Sequence, residues 1–189
     1  MNHAPVSRLL SLGMSLSLTL GFALVPALSS VAPAADFGAA VTAPSMLAKD
    51  DLEFILAANQ GGLFEIKTSE LAKQRNVTGA NLEFAKQMIS DHEAVNQELG
   101  ALAAKKGVTL PTTLDESMQK KYDALAKTED SKLAKEYLAY QVKAHKDAVS
   151  AFKSAASDSK DTDVKAFAAQ HLPHLQAHLD AAKRLEDAP

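Results

Sequence analysis

The sequence predicts an all-α fold: an antiparallel bundle of four long helices, with a short extra helix between the second and the third. Three observations predict it. Ala and Leu dominate the 47% of residues that are apolar, while only 5% of the chain is aromatic. Such a composition suits close helix packing better than strands, which favour β-branched and aromatic side chains. Between about 50 and 187, apolar residues recur at three–four spacing in four long segments. The first and second of these, and the third and fourth, are joined by only two to four residues, which makes each pair an antiparallel hairpin.

The first 34 residues read as an address rather than as part of the bundle. Arg8 supplies a positive start, Leu9 to Leu28 is apolar, and Ala32-Pro33-Ala34 offers the small side chains that a signal peptidase requires. Cleavage is expected after Ala34, with export across the inner membrane to the periplasm. The competing reading is an uncleaved anchor, since the apolar stretch is nearly long enough to span a bilayer. Gly13, Gly21 and Pro26 weaken it as a span, and no stable membrane insertion is expected after cleavage. Residues 35–49 carry Pro, Gly and Ala without periodicity and are expected to form a mobile leader to the domain at 50–187.

The first helix is expected over about Asp50 to Arg75, opened by Asp50 with Glu53 three residues on, in the manner of a capping box. Its inward face is expected to carry Leu52, Ile55, Leu56, Leu63 and Ile66. The second runs from about Thr78 to Lys106, with Leu82, Ala85, Ile89, Val95, Leu99 and Leu102 inward, and Gly107 stops it. The third spans about Ser131 to Ser157, packing through Leu133, Tyr137, Leu138 and Phe152. The fourth spans about Asp161 to Asp187, where Pro173 removes one backbone donor and is expected to kink the helix. Between the second and third lie a short loop and an amphipathic stretch, Asp115 to Thr128. That stretch is long enough either to run the length of the bundle or to fold back as a cap.

Charge and composition exclude several functions. The chain has a formal charge of −3, and loss of Arg8 with the address makes it −4, so no basic footprint for nucleic acid exists. With no Cys, there is no disulfide, thiolate ligand or thiol nucleophile. Any metal chemistry must use His, carboxylates or Met, and Met88 and Met118 are too scattered for a thioether site.

The informative residues are polar side chains on inward stripes. In the fourth helix, positions 164, 168, 171, 175, 178, 182 and 185 read Val, Ala, His, Leu, His, Ala, Leu, with His174 adjacent. His92 falls on the same kind of stripe in the second helix and His145 in the third. At 1.5 Å per residue, His92 and His145 stand roughly 21 Å from their helix starts, Glu65 roughly 22 Å and His174 roughly 20 Å. Mid-height is the same level whichever way a helix runs. Glu65, His92, His145, His174 and His178 are therefore the expected metal-ligating set, a donor group suited to Zn²⁺, Cu²⁺, Ni²⁺ or iron. The competing reading has these histidines paired with Glu65, Asn59 or Gln141 merely to fix helix register. Asp91 and Glu93 flank His92 about 100° away on the helix and read as edge or surface groups.

Several stretches together are similar to a known family. They are Gly61-Gly62-Leu63-Phe64-Glu65 leading to Leu71-Ala72, then Phe84-Ala85-Lys86-Gln87-Met88-Ile89-Ser90-Asp91-His92, and finally Leu172-Pro173-His174-Leu175-Gln176-Ala177-His178-Leu179. The chain resembles the bacterial domain-of-unknown-function 4142 family over about Asp50 to Leu185. The resemblance implies an exported ferritin-like four-helix bundle and names no substrate. Bundles of that class often hold two metals with paired Glu-x-x-His motifs. Here Ile89 and His171 stand three residues before His92 and His174, where Glu would be needed, which favours a single ion over a di-iron centre. The expected activity is binding through a His/Glu layer rather than turnover. The alternative is a metal-free structural or interaction module of the cell envelope or stress response, with an envelope protein as partner.

Overall fold

The computed structural model describes residues 47–75 and 77–188. The address at 1–34, its cleavage point and most of the leader at 35–49 lie outside the described residues, but residue 49 already belongs to a helix. Five helices follow: α1 (Lys49–Gln74), α2 (Gly79–Lys105), α3 (Glu116–Ala126), α4 (Asp130–Asp158) and α5 (Thr162–Glu186). No described helix is long and apolar enough to cross a membrane.

The helix ends follow from local chemistry. Asp115 caps α3 by accepting from the Met118 amide, and Asp161 caps α5 by accepting from the amides of Asp163 and Val164. At the end of α2, Gly107 takes a φ of +69°, a left-handed conformation open to glycine at little cost. The capping box expected at Asp50 does not form. α1 begins one residue earlier, at Lys49, and its N-cap is Ala48, which makes no side-chain cap bond. Helix α5 continues through Pro173.

The face of α1 also differs from expectation. Leu52, Leu56, Leu63 and Ile66 are only partly buried, whereas Asp51, Asn59, Glu65, Thr68 and Ser69 are buried. The reason is that these polar groups have specific partners across the bundle. Asp51 accepts from the amides of Lys160 and Asp161, Asn59 donates to the Pro111 carbonyl, and Ser69 pairs with the Tyr137 hydroxyl at 2.8 Å. A satisfied polar group can occupy a core position that an apolar pattern would assign to Leu.

Two apolar clusters fix the topology. One gathers the C-terminal half of α1 (Leu71, Ala72), the start of α2 (Phe84, Ala85, Met88), the start of α4 (Leu133, Tyr137) and the end of α5 (Leu179, Ala182). The other gathers Ile55 of α1, Leu99 and Ala103 of α2, Phe152 and Ala155 of α4, and Val164 and Phe167 of α5. Thus α1 and α5 point one way and α2 and α4 the other, and the 106–129 connection runs the length of the bundle. It is tied down at both ends. Asn59 and Gln60 hold the Pro111 and Thr113 carbonyls, while Arg75 donates to the Ala126 and Thr128 carbonyls and pairs with Asp130. Between the two apolar clusters lies a polar layer.

Candidate metal centre

Each long helix contributes one side chain to that layer. Glu65 comes from α1, His92 from α2, His145 from α4 and His178 from α5, and none is more than 5% exposed. The three imidazoles form a nearly equilateral group with ring centroids 5.4 to 5.5 Å apart. One ring nitrogen from each lies within 4.8 Å of the other two.

Outer partners hold the opposite edge of every ring. Glu65 sets Oε2 at 3.1 Å from His92 Nδ1 and Oε1 at 3.2 Å from His145 Nδ1. His145 Nδ1 also lies 3.0 Å from the Gln141 carbonyl oxygen. A carbonyl only accepts, so Nδ1 carries the proton and Nε2 keeps its lone pair. On α5, His178 Nε2 lies 2.9 Å from Asp91 Oδ2, which leaves the lone pair on Nδ1. The atoms left over are His92 Nε2, His145 Nε2 and His178 Nδ1, all buried and without a hydrogen-bond partner. Stranding three buried polar atoms in one place costs free energy that an apolar layer would not.

Burial sets the protonation. It pushes the Glu65 carboxyl up to about 8 and pulls His145 down to about 4. His92 falls well below its ordinary value, again through burial, with His145 and His178 adding to the shift. For His178 burial also lowers the value, partly offset by its bond to Asp91. In a dry layer the neutral forms win, so each imidazole keeps one lone pair.

The structure therefore brings together Glu65, His92, His145 and His178. Glu65 stands behind two of the rings, on their Nδ1 side. His174 is exposed and lies outside the cluster. Its position on α5 is rotated about 60° from the line through His171 and His178, enough to turn it off the buried stripe. His171 is buried but pairs with Glu98 at 3.0 Å. Sequence reasoning missed Asp91, which was read as an edge group and is the partner of His178. A signal was present: Asp91 and Glu98 on α2 share the seven-residue spacing of His171 and His178 on α5.

The model of the family described as "Domain of unknown function (DUF4142)" matches residues 37–185. The chain belongs to this family. The matched span contains α1 to α4, α5 up to its penultimate residue, and every residue of the histidine layer, so the layer lies within the DUF4142 domain. Among solved structures, the crystal structure of a DUF305 fragment from Deinococcus radiodurans is similar, with a TM-score of 0.65 at 10% identity, covering 74% of this chain and 97% of that one. At that identity the likeness shows the fold alone, a helical one. No curated protein matches the chain.

Proposed function

We propose that this DUF4142 chain is an exported protein that binds one transition-metal ion through His92 Nε2, His145 Nε2 and His178 Nδ1, for holding the ion rather than for turnover. The observation that carries this reading is the convergence of three buried, unpartnered ring nitrogens on one layer. The ring nitrogens left without partners, His92 Nε2, His145 Nε2 and His178 Nδ1, belong to three helices and to rings whose centroids stand only 5.4 to 5.5 Å apart. Orientation of ligand histidines by carboxylates and carbonyls on the far nitrogen is the usual outer arrangement of metal sites. An ion at the centre of a triangle with sides of 4.8 Å stands at most about 2.8 Å from each nitrogen. An inward movement of less than about 1 Å per ring reaches the 2.0–2.1 Å of zinc–imidazole bonds. Three neutral imidazoles leave a fourth position open and suit Zn²⁺, Cu²⁺, Ni²⁺ or Fe²⁺. Export rests on the Arg8, apolar and Ala-Pro-Ala sequence at the start of the chain.

Isothermal titration of the chelator-stripped 35–189 protein with these ions tests the reading. One equivalent of heat at micromolar concentration, lost in His92→Ala, is expected. No heat, or undiminished heat in the variant, overturns it. N-terminal sequencing of protein from the periplasmic fraction checks export, with a chain beginning near Ala35 expected and one beginning at Met1 counting against it. The second reading, a metal-free structural module, draws on His171, which this same bundle uses as a plain pairing group for Glu98.

A further inference from the structure

Beside the histidine layer, the core between α1 and α4 is not filled. A cavity of about 430 Å³ runs inward from the exposed Lys121 and Lys143 to the buried Glu65 and His92, with Asn96 beside them. Its sides carry aromatic rings, including those of Phe64, Tyr140 and Phe152. This volume falls in the range of small-molecule sites, roughly 300–1,000 Å³. A path for a hydrated ion would need neither this width nor these walls.

Small residues on both sides keep the cavity open. Gly61 and Gly62 sit in mid-helix, where glycine weakens α1. Gly62 has a packing reason, because a Cβ there would meet the Asn96 side chain at 2.1 Å. Gly61 has none, since a Cβ there would meet nothing within 4 Å. Across the cavity, α4 presents Ala144 and Ala148, where Leu would close the gap. A local rule broken without a structural gain marks a functional position. Of the outer lysines, Lys143 is paired with Asp147 at 3.0 Å and Lys121 contacts Met118 Sδ at 3.8 Å, both at the exposed mouth and not at the inner end. At the inner end, the Asn96 amide and the Glu65 carboxyl offer hydrogen bonds to a single polar group.

We propose that this cavity binds a small, uncharged, mostly apolar organic molecule bearing one hydroxyl or N–H group, seated with that group toward Asn96 and Glu65. Burial of the apolar body between α1 and α4 supplies the affinity, and the inner polar end sets the orientation. The cavity adjoins the histidine layer through Glu65 and His92, but His145 and His178 take no part in its walls, so the two can be tested apart.

N-phenyl-1-naphthylamine, a neutral aromatic amine whose emission rises in apolar surroundings, is a suitable probe. Titrated into metal-free 35–189 protein, it is expected to bind at one saturable site. Gly61→Phe places a ring in the open space and is expected to weaken binding at least about tenfold, with Gly61→Leu intermediate. The midpoint of thermal unfolding should stay level or rise in both, because glycine is removed from a helix. Gly100→Phe, likewise in open space but on α2 and outside the cavity, should bind as the parent does. His145→Ala, tested in parallel, should lose the metal and keep the probe, so the two readings fail separately. Absence of saturable binding by the parent, or undiminished binding in folded Gly61→Phe and Gly61→Leu, overturns the proposal.

Discussion

His171 and His178 sit two turns apart on α5, are each 5% exposed, and each present Nε2 to a carboxylate of α2, Glu98 at 3.0 Å and Asp91 at 2.9 Å. By burial, spacing and partner they are nearly the same residue. They differ in what faces the rest of the ring. His171 lies against the Phe167 ring at 4.5 Å, whereas His178 Nδ1 has no partner and its ring faces His92 and His145. A buried histidine with a carboxylate partner is therefore no sign of a site. The sign is a second nitrogen left without use at a level where other helices leave theirs.

The contrast breaks most sharply on metal affinity. His145→Ala and His178→Ala should each weaken binding by more than the about 10–100-fold that loss of an outer partner costs, and should erase the metal-dependent rise in unfolding temperature. His171→Ala should leave both intact in the same titration and melting experiments. Equal losses at His171 and His178 would remove the distinction.

A smaller effect is expected one step out from the ligands. Asp91→Asn should lower affinity by about 10–100-fold, because an amide no longer polarises His178 as a carboxylate does. Glu98→Gln, the same change two turns along, should not alter it. Competition against a chromogenic chelator reads both.

Without metal, the contrast appears in pH dependence. Glu65 keeps its proton up to about 8 when folded, against 4.5 when unfolded, so its contribution is present below 4.5 and is lost as pH rises through 8. His145 acts in the opposite sense, contributing above 6.5 and losing that contribution as pH falls through about 4. Between 6.5 and 8 the Glu65 contribution dominates, and stability should fall with rising pH by about 2 kcal/mol at most. Urea unfolding at several pH values should show that slope, and Glu65→Gln should flatten it. A slope unchanged in the variant would place the titrating group elsewhere.

The smallest change belongs to the His171 pair. Glu98 is 51% exposed, so Glu98→Ala should cost no more than about 1 kcal/mol in the same unfolding measurement.

Much of this molecule was legible before its structure. Helix ends fell within a residue or two, because Gly107, Asp115 and Asp161 act locally. The mid-height level of Glu65, His92 and His145 followed from rise per residue alone. Rotation about the axis was less secure. His174 satisfies the height rule but faces outward, and α1 buries Asn59 and Thr68 while leaving Leu56 half-exposed. The path of the 106–129 connection depended on contacts such as Asn59 with Pro111 and Arg75 with Thr128, separated by about fifty residues and invisible to periodicity. Asp91 was missed for a related reason: its neighbour is set by how α2 and α5 meet, not by either helix alone.

The division of the histidine layer between hairpins has a kinetic consequence. α1–α2 carries Glu65 and His92, and α4–α5 carries His145 and His178, so neither hairpin holds the complete set. Each hairpin is local in sequence and can form early, while the histidine layer is complete only when the two dock across the long connection. An ion bound there, as proposed above, would act as a removable clasp between halves. It would slow their parting far more than it would speed the making of either one.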